Sequence, residues 1–431
     1  MAISSDPKKV TRICFDRIEI PNQNKLDVAR ENGAYKFLPT VLKTFDADKI
    51  IGEMKTSGLR GRGGAGFPTG LKWSFVPRNT GKPTYLLCNA DEGEPGTFKD
   101  RDIMRFDPHL LIEGMIMAGF ALGVKDAYIY IRGEFLAEAN VLNEAIAEAY
   151  AANLLGEKIL GTDYSMNLTV HRGAGAYVCG EETALIESLE GRPGRPRFKP
   201  PFPAVEGFYQ CPTVVNNVET LATVPAILEH GGAWHAAIGR PNSAGCKIFS
   251  VSGHVNKPGN YEVVMGTTLR SLIEDQCGGL QHGTVPKAII PGGSSTPWLM
   301  AEHYDVPLTY DDIMEAGSFL GSGAIIVMDE TADVVALTRR LSHFYAHESC
   351  GQCTPCREGT GWIERMMNRV DSGKGCEADM KVLKEASEHM AGRTICALAE
   401  GGAAPILSML KYFPDEVRAK MKGDASKEIA E

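Results

Sequence analysis

Four cysteines in the C-terminal quarter of the chain have the spacing of a metal-cluster site. Cys350, Cys353 and Cys356 follow a Cys-x2-Cys-x2-Cys pattern, and Cys396 lies downstream in Thr-Ile-Cys-Ala. Iron–sulfur clusters are held by cysteine thiolates in runs of this kind, and Cys396 can supply the fourth ligand. Zinc is an alternative, although structural zinc sites usually pair two Cys-x2-Cys knuckles or add histidines. Three ordinary buried thiols are a third interpretation. A cluster would imply electron transfer.

A glycine-rich segment, Gly-Arg-Gly-Gly-Ala-Gly at residues 61–66, is called the glycine loop below. Glycines expose backbone N–H groups and permit close approach of a phosphate, and Arg60, Arg62 and Lys72 add positive charge. The segment matches the dinucleotide fingerprint as a string, but that fingerprint requires a preceding strand. Here the preceding residues have a helical pattern, so a standard Rossmann site is not expected. A flexible surface turn is the alternative.

An acidic segment at residues 89–96, called the acidic loop below, follows a predicted strand at residues 85–89. It contains Asp91, Glu92 and Glu94. Carboxylates do not suit a phosphate, but they accept hydrogen bonds from ribose hydroxyls and repel a 2′-phosphate. The segment therefore predicts a ribose-binding site that favours NAD over NADP. A solvated acidic turn is the alternative.

A third segment, residues 171–183, leads from a predicted strand through glycines into a predicted helix. Glu181 and Glu182 fall in its first turn, where the helix dipole alone would favour them. Tyr177 could stack on a planar ring or serve only in packing, and Asn216 and Asn217 could line a pocket or form a turn. Together with the cysteine pattern, these segments predict a nucleotide site, a planar redox ring and an iron–sulfur exit for electrons.

The amino-acid composition limits the classes of protein to which this chain can belong. The 431 residues are 43% hydrophobic with a net charge of −9, which allows several domains and gives no electrostatic footprint for nucleic acid. Eleven cysteines are too small a share for a disulfide scaffold, so a reducing compartment is expected. Residues 1–10 lack the apolar stretch of a secretory signal, and the longest apolar run, residues 110–123, is too short for a bilayer. The composition predicts a soluble protein without direct membrane insertion.

Hydrophobic periodicity predicts how these segments are positioned. After an irregular stretch to residue 39, helices and strands alternate to residue 191, which predicts an α/β layer with a parallel sheet. A proline-rich stretch, residues 191–203, should form an extended loop. Short strands around one helical piece then indicate a small α+β domain, at residues 247–251, 268–274, 288–290 and 325–328.

The chain after residue 331 is predicted to be almost entirely helical, at residues 333–347, 359–370, 380–390 and 403–413. The cysteine run should lie in a loop between two of these helices, and Cys396 between the last two. The pattern predicts domains at residues 1–240, including an N-terminal extension, 245–330 and 331–431.

Four segments, at residues 58–73, 89–101, 175–185 and 348–357, closely resemble the flavin-bearing, NADH-binding subunit of respiratory complex I. The resemblance implies FMN, one [4Fe–4S] cluster and NADH as substrate. It also implies a Rossmann-like flavin domain, a ubiquitin-like β-grasp domain and a C-terminal helical bundle that carries the cluster. The implied partners are a thioredoxin-like [2Fe–2S] subunit and a larger multi-cluster iron–sulfur subunit.

The resemblance also implies roles for individual residues. The flavin site would comprise Gly61, Arg62, Gly64, Lys72, Asn89, Asp91, Glu92, Tyr177, Gly180, Glu181, Glu182, Asn216, Asn217 and Thr220. The NADH contacts would be Phe67, Phe75, Glu94, Lys199 and Phe202. The cluster ligands would be Cys350, Cys353, Cys356 and Cys396, whereas Cys376 lies outside the motif.

The activity that this resemblance implies is NADH:quinone oxidoreductase, of the translocase class, with electrons leaving through partner subunits. Hydride transfer is carried by FMN, so no catalytic acid or base is expected. The chain would lie in a peripheral arm on the cytoplasmic face of a bacterial inner membrane, or on the matrix side in an organelle. A diaphorase subunit of a soluble NAD-linked hydrogenase or formate dehydrogenase is one alternative, although the extra domains common there do not fit in 431 residues. Another alternative is a flavin-free protein that only conducts electrons or serves as a scaffold, with a nucleotide site that has decayed.

Overall fold

The computed structural model describes residues 3–421, and its first sheet consists of four parallel strands. They are β1 (Tyr85–Ala90), β2 (Asp126–Ile131), β3 (Asn167–Arg172) and β4 (Thr213–Asn217). The order across the sheet is β3-β2-β1-β4, and Tyr85 pairs with Asp126 on one side and Thr213 on the other. The strand order reverses between β1 and β4, so their carboxyl ends flank the crevice where doubly wound proteins bind ligands. The predicted parallel sheet is confirmed.

Helices cover this sheet and form the N-terminal region. They are α1 (Leu26–Glu31), α2 (Leu38–Thr44), α3 (Ala47–Thr56), α4 (Thr69–Ser74), α5 (Asp100–Phe106), α6 (Pro108–Leu122), α7 (Leu136–Ala151), α8 (Glu182–Leu189), α9 (Val218–His230) and α10 (Gly232–Ala236). The prediction that the chain is irregular to residue 39 is wrong, because α1 and the start of α2 lie there. Each has only six or seven residues, too few for periodicity to reveal.

The largest hydrophobic core lies between the sheet and its helices. Helix α6 is buried on nearly every face, with Leu111, Ile112 and Ile116 fully enclosed, which explains the long apolar run of the sequence. Among residues 3–421, no helix is long and apolar enough to cross a membrane. Single 3-10 turns complete the elements, at Pro7–Lys9, Ile159–Gly161, Tyr177–Gly180, Phe208–Gln210 and Ala301–His303.

A second sheet has the topology expected of a β-grasp. After the hairpin β5 (Gly239–Arg240) and β6 (Ser243–Ala244), its strands are β7 (Cys246–Gly253), β8 (Gly259–Val264), β9 (Ala288–Ile290), β10 (Leu299–Met300) and β11 (Ala324–Met328). Their order is β10-β9-β11-β7-β8, with β7 and β11 parallel and the other neighbours antiparallel. Strand β8 was not predicted from the sequence, because this half-exposed edge strand contains Asn260 and Glu262, which favour a loop interpretation.

Short helices accompany this second sheet. They are α11 (Leu269–Ser271), continued by a π-helical turn at Leu272–Gln276, and α12 (Tyr310–Glu315). The predicted helix at residues 268–274 is thus confirmed in position, with Thr268 as its N-cap. We refer to residues 239–328 as the β-grasp unit.

The C-terminal part is helical, as predicted. Its helices are α13 (Val334–Glu348), α14 (Thr354–Asp371), α15 (Glu377–Met390), α16 (Leu398–Tyr412) and α17 (Pro414–Met421). The prediction that the whole cysteine run lies in a loop is wrong. Cys350 is in the loop, but Cys353 is the N-cap of α14 and Cys356 lies in its first turn. Pro355, at the second position of α14, marks this early start, because proline fits a first helical turn.

Candidate functional site

A cavity of about 520 Å³ opens at the crevice between the ends of β1 and β4. Its walls come from the first sheet, the β-grasp unit and the helical C-terminal part. The lining includes Gly63, Gly64, Ala65, Asn89, Asp91, Glu92, Gly93, Glu94, Tyr177, Gly180, Glu181, Asn217, Gly292, Ser295, Cys396, Ala397 and Leu398. The glycine loop, the acidic loop and the segment around Tyr177 thus meet in one cavity, as the sequence predicted.

The start of the acidic loop leaves one carboxylate oxygen without a partner. The Asn89 amide donates to the Gly180 carbonyl at 2.8 Å, and its oxygen accepts from the Asp91 N–H at 3.1 Å. Asp91 Oδ2 is buried and accepts no hydrogen bond. Burial raises the pKa of Asp91 to about 7. A buried acceptor of this kind suits a ligand hydroxyl, so the residues present fit the ribityl chain of a flavin.

The next carboxylate of the acidic loop is already bonded. Glu92 accepts the N–H groups of Asp100 at 2.8 Å and Arg101 at 3.3 Å, which ties the loop to the start of α5. Burial, reinforced by the negative charge of Asp100, raises the pKa of Glu92 to about 8. Glu92 therefore positions the loop as well as lining the cavity.

Glu94 is bonded to the β-grasp unit and, through Tyr177, is linked to the helical C-terminal part. It accepts from the Tyr177 hydroxyl at 2.6 Å and from the Ser295 N–H at 2.8 Å, and Ser295 belongs to the β-grasp unit. Burial raises the pKa of Glu94. The Tyr177 N–H in turn donates to Glu348 at the end of α13, at 3.0 Å.

Gly93 allows Tyr177 to approach the acidic loop. A Cβ atom at position 93 would lie 3.2 Å from Cδ2 of the Tyr177 ring, closer than most such contacts. The ring is held edge-to-face against Phe344 of α13, with the centroids 5.2 Å apart. Tyr177 is therefore fixed by packing as well as by its hydrogen bonds, beside the cavity rather than free in it.

Charged side chains form a cluster next to the cavity. The Lys72 ammonium lies 2.8 Å from Glu182, and the Lys199 ammonium lies 2.9 Å from Glu181 and 3.0 Å from Glu182. Glu181 is also the N-cap of α8, accepting the N–H of Thr183 at 2.8 Å. The contacts of Lys199 tether the proline-rich loop beside the cavity.

The aromatic residues implied for NADH lie at the surface. Phe67 and Phe75 are 44% and 51% exposed, with their ring centroids 6.2 Å apart, and Phe202 is 58% exposed. Exposed rings of this size are apolar surface that a flat ligand ring could cover. None of the three lines the cavity itself.

Several residues implied for the flavin site support the cavity from behind. The Arg62 guanidinium is buried and donates to the carbonyls of Ala244 and Cys246 at 2.8 and 2.9 Å. Asn216 accepts from the Trp73 indole at 2.8 Å, and Thr220 accepts from the Arg62 N–H at 2.9 Å. The implied residues outside the lining are Gly61, Arg62, Lys72, Glu182, Asn216 and Thr220.

Sequence reasoning missed a group of buried ionisable side chains at the cavity, here called the buried charge network: Lys99, Asp100, Glu219 and Lys247. Lys99 and Asp100 also line the cavity. The Lys99 ammonium lies 2.7 Å from Asp100 and 2.8 Å from Glu219, and Lys247 lies 3.8 Å from Glu219. Burial opposes the charge on Lys99, but the carboxylates of Asp100, Glu219 and Glu92 raise its pKa. Lysine and aspartate are usually solvated, so their presence in the sequence does not indicate burial. The only sequence signal for Lys99 and Asp100 was that they lie in the segment 89–101.

The four cysteines lie near one another at the start of α14 and before α16. Burial raises the pKa of Cys356, with further effects from the nearby thiols of Cys350 and Cys353. Cys396 is half-buried, and this partial burial, with the nearby thiols of Cys350 and Cys356, raises its pKa to about 11. No group of three or more His, Cys, Asp or Glu side chains in residues 3–421 converges tightly enough to hold a single metal ion. A four-iron cube is wider than one ion, and four thiols with no histidine are the donors it requires, so this set fits a [4Fe–4S] cluster.

Comparisons with known proteins match this arrangement. Residues 54–226 match the family described as the Nuo51 FMN-binding domain, residues 247–327 match the SLBB domain, and residues 336–420 match the NADH-ubiquinone oxidoreductase-F iron-sulfur binding region. The F subunit of NADH-quinone oxidoreductase in Rickettsia felis is 55% identical over 88% of this chain and 90% of its own. That of Rickettsia typhi is 54% identical over 87% and 89%.

A solved structure is similar over most of the chain. The crystal structure of an NAD+-reducing [NiFe]-hydrogenase in the H2-reduced state superposes with a TM-score of 0.81 and 38% sequence identity. The match covers 91% of this chain and 67% of that chain. The mixed α/β architecture therefore occurs in a second class of NAD-linked oxidoreductase.

Proposed function

This chain belongs to the family of NADH-quinone oxidoreductase F subunits, and on that premise we propose that it is the NADH dehydrogenase module of a respiratory complex. It is an oxidoreductase that uses FMN, a [4Fe–4S] cluster and NADH. When bound, FMN accepts hydride from NADH and the cluster accepts electrons singly. One observation carries the proposal: Asp91 and Glu94 of the acidic loop and Cys396 of the cysteine set line the same cavity.

The side chains around the cavity have complementary tasks in this activity. The glycine loop offers backbone N–H groups and close approach for the flavin phosphate. Asp91 offers a free buried acceptor for a ribityl hydroxyl, and Phe67, Phe75 and Phe202 offer apolar surface for the rings of NADH. We propose Cys350, Cys353, Cys356 and Cys396 as the four cluster ligands. No protein acid or base is needed, because hydride transfer does not require one.

The matched ranges support a division into three domains. We propose boundaries at residues 1–240, 245–330 and 331–431, and each family match falls within one of these ranges. The relatives are subunits by name, so the chain works in an assembly with other subunits. We propose that its neighbours are a thioredoxin-like [2Fe–2S] subunit and a multi-cluster iron–sulfur subunit that lead electrons toward quinone. We place the assembly's peripheral arm on the cytoplasmic face of a bacterial inner membrane, or the matrix side in an organelle.

A diaphorase role in a soluble hydrogenase is the second candidate, favoured by the hydrogenase superposition. The Rickettsia felis relative shares 55% identity against 38% for the hydrogenase chain, and it matches this chain over 90% of its own length. Purification of the native assembly distinguishes the two: iron–sulfur subunits without nickel support the respiratory role, and a nickel-containing partner supports the hydrogenase role.

The activity itself is tested with the purified full chain and ferricyanide as an artificial electron acceptor. We expect flavin-dependent oxidation of NADH, with FMN bound at one per chain. A chain that binds FMN in this ratio and does not oxidise NADH would contradict the proposed function.

The affinity for FMN should depend on the ionisation of Asp91. The ionised carboxylate accepts ribityl hydroxyls, and its pKa of about 7 in the free protein means that affinity rises with pH through neutrality. Arg132 faces this carboxylate and lowers its pKa, whereas Glu134 and Glu348 raise it. Between pH 6 and 8 we expect the affinity of the wild type relative to Asp91→Asn to rise about tenfold.

Flavin fluorescence quenching measures both dissociation constants across this pH range. The FMN phosphate also ionises in this pH range, but it affects both proteins equally. Its contribution therefore cancels in the ratio of their affinities. A ratio of affinities that does not change with pH would exclude Asp91 as the titrating acceptor.

Glu94 is expected to select NADH over NADPH. Its carboxylate lines the cavity and is held by Tyr177 and Ser295, so a 2′-phosphate brought beside it would meet a fixed negative charge. Glu94→Gln keeps the shape and removes the charge. We expect the ratio of kcat/KM for NADPH to that for NADH to rise by about tenfold or more, because like charges at an interface cost several kcal/mol.

The matched control is Glu330→Gln, which removes an exposed carboxylate just after the last strand of the β-grasp unit. It should leave the ratio as in the wild type. If Glu94→Gln also leaves the ratio unchanged, coenzyme selection must lie elsewhere.

A further inference from the structure

The glycine loop is held by the β-grasp unit on a side that does not line the cavity. Tyr310, the first residue of α12, is almost fully buried beside the loop. Its hydroxyl donates to the Gly61 carbonyl at 3.2 Å and accepts from the Arg62 guanidinium at 3.3 Å. The Arg60 guanidinium lies over its ring, 3.9 Å from the centroid. One side chain of the β-grasp unit thus contacts Arg60, just before the glycine loop, and the first two residues of the loop.

The far end of the loop is shaped around the same ring. Gly66 has a φ of +61°, and a Cβ atom there would lie 2.6 Å from Cε1 of Tyr310, a distance that real Cβ atoms do not adopt. The Arg60 side chain donates to the Gly66 carbonyl at 2.6 Å, which links the two ends of the loop across the ring. Glycine at position 66 is therefore required by the closeness of Tyr310 as well as by its backbone conformation.

Other groups of the β-grasp unit are hydrogen-bonded to Arg62, the second residue of the loop. The carbonyls of Ala244 and Cys246 accept from the Arg62 guanidinium, and the Lys247 ammonium donates to the Arg62 carbonyl at 3.4 Å. Gly63, Gly64 and Ala65, which follow directly, line the cavity, whereas Tyr310 does not. The anchored residues and the cavity-facing residues of the loop are thus separate.

We propose that Tyr310 is a positioning residue that clamps the glycine loop in its FMN-binding conformation, so that the β-grasp unit acts as a brace for the flavin site. The inference rests on the proposed assignment of the cavity to FMN. A glycine-rich loop loses much conformational entropy when it is ordered. A clamp that orders the loop before FMN arrives reduces the entropy lost on binding and so strengthens binding.

Two substitutions test the clamp in the purified full chain with FMN as the probe. Tyr310→Phe removes the hydrogen bonds to Gly61 and Arg62 but keeps the ring, and we expect FMN to bind about three- to tenfold more weakly. Tyr310→Leu also removes the surface under Arg60 and should weaken binding further. At saturating FMN, kcat should return to the wild-type value, because Tyr310 does not touch the cavity.

Amide hydrogen exchange separates a clamp from a general loss of structure. In the FMN-free Tyr310→Phe protein, exchange should speed up at residues 61–66 and stay unchanged in β1–β4. The matched control is Tyr261→Phe, which removes a hydroxyl of the same β-grasp unit that donates to the Lys257 carbonyl at 2.7 Å, away from the loop. It should leave both FMN affinity and loop exchange as in the wild type.

Each outcome decides the question. Wild-type affinity and wild-type loop exchange in Tyr310→Phe would overturn the clamp and leave the proposed function standing. A wild-type chain that binds no FMN would overturn both. If Tyr310→Leu does not fold, Tyr310→Phe alone gives the answer, since it retains the packing of the ring.

Discussion

Replacement of Cys396 by serine is expected to strip the chain of its iron while leaving FMN in place. The substitution removes one of four proposed thiolate ligands, and even loss of a supporting residue around a metal lowers affinity about 10- to 100-fold. We therefore expect iron and acid-labile sulfide per chain to fall at least about tenfold. Because Cys396 also lines the cavity, serine is chosen to keep its size there. Flavin content and NADH oxidation with ferricyanide should remain.

The matched control for this experiment is Cys376→Ser. Cys376 is exposed and occupies the N-cap of α15, a position where serine is favoured. This variant should keep its iron, its sulfide and its cluster EPR signal. If Cys396→Ser also kept a full cluster, Cys396 would not be a ligand, and another thiol would have to complete the set.

Replacement of Lys99 by methionine should destabilise the chain strongly. The Lys99 side chain is 1% exposed and lies between Asp100 and Glu219. Its loss leaves Asp100 without its cation and leaves Lys247, 3.8 Å away, as the nearest cation to Glu219. Breaking a buried ion pair in this way costs about 3–5 kcal/mol. We expect the midpoint of thermal unfolding of the FMN-free chain to fall by about 5 °C, measured by circular dichroism.

Two further variants isolate the cause. Lys125→Met removes an exposed lysine and should leave the unfolding midpoint unchanged. Lys99→Met combined with Asp100→Asn removes the carboxylate left without a cation and should recover part of the lost stability. A midpoint for Lys99→Met equal to that of Lys125→Met would show that the network contributes nothing to stability.

The elements with long, regular patterns were predictable from the sequence. Helix α6, for example, spans Pro108–Leu122, and the apolar run at residues 110–123 marks most of it. The short helices α1 and α2 were not, because six or seven residues give too few turns for a period to appear. The start of α14 was misplaced because the cysteine spacing favoured a metal loop, although Pro355 in a first turn is a helix-start signal.

The site was predictable where its residues share a motif. The acidic loop and Asn217 converge on the cavity because the carboxyl ends of β1 and β4 meet at one edge of the sheet. The direction of the Arg62 side chain was not predictable, since its acceptors, the carbonyls of Ala244 and Cys246, lie 182 and 184 residues away in sequence. The role of Tyr310 was hidden for the same reason, because only the packed β-grasp unit brings it to the glycine loop.

Electrons from NADH are expected to pass through this cavity to the cysteine-bound cluster. Anaerobic titration of the purified chain with NADH tests this path, with flavin absorbance and the low-temperature EPR spectrum of the cluster recorded at each step. We expect bleaching of the flavin together with the appearance of a [4Fe–4S] signal. A cluster that dithionite reduces but NADH does not, in a chain without flavin, would contradict it.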